Sequence, residues 1–137
     1  DAVKHLLTRY GFEFPSLAQM SARAQIEAIS GADLVVSALG AGSILTHFAP
    51  EHCINLVLAP PRLGTGFWGG LGGAIFLRQP YERIDCEAIE SRDGRRDSTY
   101  GVDEVADYRV DLGMLQGAVE LALKHLSDNQ CRDPLRL

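Results

Sequence analysis

Apolar residues recur along this chain in two alternating rhythms. Val3, Leu6, Leu7 and Tyr10 fall at helical spacing and Gly11 follows them, which predicts a helix over residues 1–10 with a glycine stop. Phe12 and Phe14 then alternate with Glu13 ahead of Pro15, the pattern of a short strand near residues 12–14. Ser21 stands where an N-cap belongs, Ala22, Ile26 and Ile29 share a helical face behind it, and Gly31 closes that helix. Short apolar runs at 33–37 and 54–58 read as strands covered on both faces. A helix over 42–49, stopped by Pro50, lies between them, and residues 74–77 read as a further strand. In the last helix, capped by Asp111, Leu112, Leu115, Val119, Ala122 and Leu126 fall on one face, with Glu120 four positions before Lys124 as a surface pair. Short apolar strands alternating with amphipathic helices predict one α/β domain over 1–137, a Rossmann-like parallel sheet flanked by helices.

The densest chemical signal lies where the strand at 33–37 gives way to the helix. Gly40 and Gly42 allow a tight turn, and the helix that follows points free N–H groups outward, a setting suited to phosphate. Gly40, Ala41, Gly42 and Ser43 are therefore candidate substrate-binding residues, through backbone N–H groups and the Ser43 hydroxyl. The alternative is that these small residues only let the helix pack closely on the sheet. Ser43, Ile44 and Leu45 follow where a dinucleotide fingerprint needs Gly-x-x-Gly, so a dinucleotide-binding oxidoreductase domain is the lesser alternative.

Between Gly64 and Gly73 six of ten residues are glycine, a run whose ordering costs much entropy and which reads first as a surface loop. A second reading is a ligand-gated lid in which Trp68 or Phe67 stacks on a nucleobase or sugar. Arg62, in the same connection, is a candidate for a diphosphate because a guanidinium fork matches phosphate oxygens. Arg92, Arg95 and Arg96 are lesser candidates, with Asp93 and Asp97 beside them in what reads as an exposed loop at 91–103. His47 sits one turn into the helix, as a candidate ligand contact or as a plain surface histidine. His47, Glu51, His52 and Cys53 fit no standard metal spacing, and no metal or cofactor is expected. No Ser-His-Asp or Cys-His ordering points to hydrolysis, and no catalytic residue is assigned.

The balance of 13 basic and 18 acidic residues, a net charge of −5, argues against a nucleic-acid partner. Cys53, Cys86 and Cys131 form no Cys-x-x-Cys pair, which suits a reducing cytoplasm. The longest uncharged run of the first half, residues 34–46, falls short of the ~20 residues a membrane span needs. The chain opens on Asp1 directly in a helical pattern, which predicts a domain cut from a longer chain, and residues 127–137 read as a flexible tail.

Several of these segments together resemble a known family. Leu6-Leu7-Thr8-Arg9-Tyr10-Gly11-Phe12-Glu13, Gln25-Ile26-Glu27 after Ser21, the run from Ala32 to Ser43, and Tyr108-Arg109-Val110-Asp111-Leu112 are similar to the carboxyl-terminal half of glycosyltransferase family 61 and its capsular-polysaccharide relatives. That family typically carries a Gly-Phe pair, a helix with Gln-Ile or Gln-Val, a strand ending in Pro-His-Gly-Ala-Gly-Leu-Thr-Asn, and a closing Val-Asp-Leu. The likeness spans roughly residues 5–126. It implies the donor-binding half of a two-domain, GT-B type, metal-independent enzyme that passes a sugar from a nucleotide donor to a glycan acceptor. The general base would lie in a missing N-terminal domain, so the chain alone is expected to be inactive. Leu39 stands where the family has His, and Asn55 near where it has a Glu of the kind that holds a ribose hydroxyl. These departures favour, as the alternative, a non-catalytic sugar-nucleotide-binding or interaction module. The resemblance also implies that Leu39→His and Asn55→Glu would strengthen donor binding.

Overall fold

A computed structural model describes residues 2–38, 41–59, 79–88 and 108–130 of the chain. Three parallel strands, β1 (Leu34–Ala38), β2 (Ile54–Ala59) and β3 (Tyr81–Asp85), form a sheet in the order β1-β2-β3. A separate antiparallel pair joins β4 (Glu87–Ala88) to β5 (Tyr108–Arg109). Helices α1 (Ala2–Thr8) and α3 (Leu112–Gln130) lie on one face of the sheet, while α2 (Ala22–Ser30) packs on a 3₁₀ helix, Ala41–Phe48, that lies on the other. The fold is thus α/β with a parallel sheet flanked by helices, as the alternation of apolar segments predicts.

The pleat explains the two faces. Ile54, Leu56 and Leu58 point from β2 into the core, where they meet Leu6 and Leu7 of α1, Ile84 of β3, and Leu115, Val119 and Ala122 of α3. Leu34 and Val36 extend this face onto β1. Cys53, Val57 and Ala59 are also buried, so β2 is covered on both faces, which is why it reads as an unbroken apolar run. The ends of the helices are closed locally. Ser21 Oγ accepts the Ala24 N–H at 3.3 Å, and Asp111 Oδ1 accepts the N–H groups of Gly113 and Met114 at 2.8 and 3.0 Å. Glu120 Oε1 accepts the Tyr10 hydroxyl at 2.6 Å and Gln116 Nε2 at 2.9 Å, clipping α3 to the end of α1 rather than serving a pair with Lys124. This bond holds the Tyr10 phenol above its ordinary range and the Glu120 carboxyl below its own.

Four expectations change. Residues 12–14 form no strand. Gly11 takes φ 80, its N–H returns to Thr8 O at 3.0 Å, and the Phe12 N–H returns to Leu7 O at 3.3 Å, which together make a Schellman end for α1. Phe12 is the hydrophobic residue of that motif, packed at the edge of the core, and Phe14 lies 43% exposed with Lys4 Nζ 5.9 Å from its ring centre. The helix expected at 42–49 is a 3₁₀ helix over Ala41–Phe48. Residues 127–130, expected to open a tail at 127–137, continue α3 to Gln130, and residues 131–137 lie outside the described residues. Finally, β3 and the β4–β5 pair carry no clear apolar pattern and were not expected; the strand predicted at 74–77 and the loop at 91–103 lie outside the described residues.

A Cβ at Gly11 would meet nothing within 4 Å, so any cost of substitution there is backbone strain alone. Gly11→Ala is expected to lower stability by about 1 kcal/mol. Urea denaturation should show the midpoint fall with the slope unchanged; an unchanged midpoint would refute the left-handed stop.

Candidate functional site

The parallel direction of the strands sets which edge their C-terminal ends share. Ala38 pairs with Leu58 and Leu58 with Ile84, so the C-terminal ends of β1, β2 and β3 lie along one edge. The connections that start at residues 39 and 60 leave from that edge, the side on which open parallel sheets take their ligands. Ala41, Gly42 and Ser43 open the 3₁₀ helix three residues after β1 ends, with the backbone N–H groups of its first turn lacking partners inside the helix. Gly40, Arg62 and Trp68 lie outside the described residues, as do Leu39, Phe67, Arg92, Arg95 and Arg96.

His47 lies within the 3₁₀ helix. Two 3₁₀ turns separate it from Ala41, a rise of ~12 Å, so it stands near the carbonyl end of the helix and apart from the Gly40–Ser43 turn. Asn55 lies away from the C-terminal edge of the sheet. It is the second residue of β2, ~13 Å along the strand from Ala59, and only 3% exposed.

Asn55 instead belongs to a buried network that holds the far end of the 3₁₀ helix. Its Nδ2 donates to Gln79 Oε1 at 3.1 Å, and Gln79 Nε2 donates to Thr46 O, Ala49 O and Pro50 O at 3.2, 2.8 and 3.2 Å. Three carbonyls can only accept, so the Gln79 amide has one possible orientation, and this fixes that of Asn55 in turn. The outcome leaves Asn55 Oδ1 buried without a hydrogen-bond partner, and Ser37 Oγ on the same sheet face is in the same condition. The helix that opens at the C-terminal edge of the sheet is thus anchored at its far end.

The opposite edge of the sheet carries its own polar contacts. His52 Nε2 lies 2.9 Å from Asp33 Oδ1, linking the residue before β1 to the turn before β2. Cys53 is fully buried; burial, helped by the Asp33 charge, pushes its thiol up to about 12, which leaves it inert as a nucleophile. Burial raises the Cys86 thiol as well. Among the described residues, no group of three His, Cys, Asp or Glu side chains is placed to hold a metal, and no helix is long and apolar enough to cross a membrane.

Sequence reasoning missed the polar end of β3. Arg83 Nε lies 2.6 Å from Asp85 Oδ1, and Asp85 is the last residue of β3, level with Ala59 at the C-terminal edge of the sheet. The run Tyr81-Glu82-Arg83-Ile84-Asp85 puts a charge on each face, so period-two alternation of apolar residues gives no signal there. Compared with models of known protein families, with curated proteins and with solved structures, the chain matches none.

Proposed function

We propose that this domain binds the diphosphate of a nucleotide sugar at the C-terminal edge of its parallel sheet, as the donor-binding half of a GT-B type glycosyltransferase. The observation that carries the reading is the shared direction of β1 and β2 with a helix opening directly after β1. It brings the start of the 3₁₀ helix at Ala41 and the C-terminal end of β2 to one edge, and Gly40, Arg62 and Trp68 follow these strand ends in sequence. Helix N–H groups supply a fixed positive end for phosphate oxygens, and small residues leave them open to approach. His47, near the carbonyl end of the 3₁₀ helix, takes no part in this reading. The position of Asn55 in the core supports it, since a residue away from the donor edge is no mark of a lost donor contact. Transfer requires an acceptor hydroxyl held in line and a base to take its proton, contributions of ~7 kcal/mol and ~10²-fold or more, and neither belongs to a donor-binding half.

Calorimetric titration of uridine and guanosine diphosphate tests the reading. Heat at millimolar ligand or below is expected, abolished in Gly42→Val. Gly42 has helical backbone that any residue adopts, so the variant should keep its fold, checked by circular dichroism. Absence of heat with either nucleotide would overturn the reading in favour of a non-catalytic interaction module.

A further inference from the structure

We draw no further inference here: the strongest candidate, the exposed apolar stripe that Met114 and Leu121 form along α3, carries nothing because nothing in the structure shows what covers it.

Discussion

Asn55→Glu is expected to destabilise the domain by about 4 kcal/mol at pH 7 instead of strengthening donor binding. The site is 3% exposed, Gln79 turns an oxygen toward it, and the Oδ1 already there has no donor. A carboxylate in such a place ionises only at a pKa raised to ~8 or above, and keeping it protonated at pH 7 costs about 1.4 kcal/mol for each unit above its free value. Because the folded value is raised, the cost is absent below the unfolded value near pH 4. It grows with pH until the folded value is passed. Urea denaturation at pH 4 and pH 7 reads this directly: the two proteins should differ far more at the higher pH. Equal differences at both, or a gain in nucleotide affinity without loss of stability, would show that Asn55 faces the ligand after all.

Gln79→Leu is expected to cost about 3 kcal/mol. Thr46 O and Pro50 O keep the N–H groups of Ala49 and Cys53, at 3.0 and 2.9 Å, but Ala49 O and Asn55 Nδ2 lose the partner that Gln79 gives them. Each buried polar group left without a partner costs ~1–3 kcal/mol. Gln79→Glu, nearly the same in shape, should be no better, because its oxygens would meet three carbonyls. Hydrogen exchange of the amides at 46–49 should rise in both variants by more than at α3. Stability within ~0.5 kcal/mol of the unaltered protein would mean that the network is incidental to the fold.

Much of the framework was legible because single physical causes produced it. The uninterrupted apolar run of β2 comes from burial on both faces, and Ser21, Gly31 and Asp111 mark helix ends by local bonding that needs no distant partner. Where two causes shared one pattern, the reading failed. Phe-Glu-Phe alternates like a strand, yet Gly11 at φ 80 commits Phe12 to closing α1. Gly42–Ala49 is helical in period, but the sequence does not distinguish α from 3₁₀ when the far end is pinned by a glutamine thirty residues on. The candidate site divides in the same way. The helix that follows β1 could be read from the sequence, whereas Arg83 and Asp85 are placed only once the register sets them level with Val57 and Ala59. Asn55 lies within the strand its apolar neighbours predict, but its bond to Gln79 depends on a contact 24 residues away that no local pattern reveals.

The glutamine clasp also has a kinetic side. Gln79 reaches back 29 to 33 positions to the carbonyls it holds, and it can do so only after the chain between Ala59 and Tyr81 has closed to pair β2 with β3. Contacts of such sequence separation form late, since loop closure must precede them. The clasp therefore adds little to the barrier the chain climbs on folding and much to the one it climbs on opening. It sets how long the 3₁₀ helix, once seated on the sheet, stays seated.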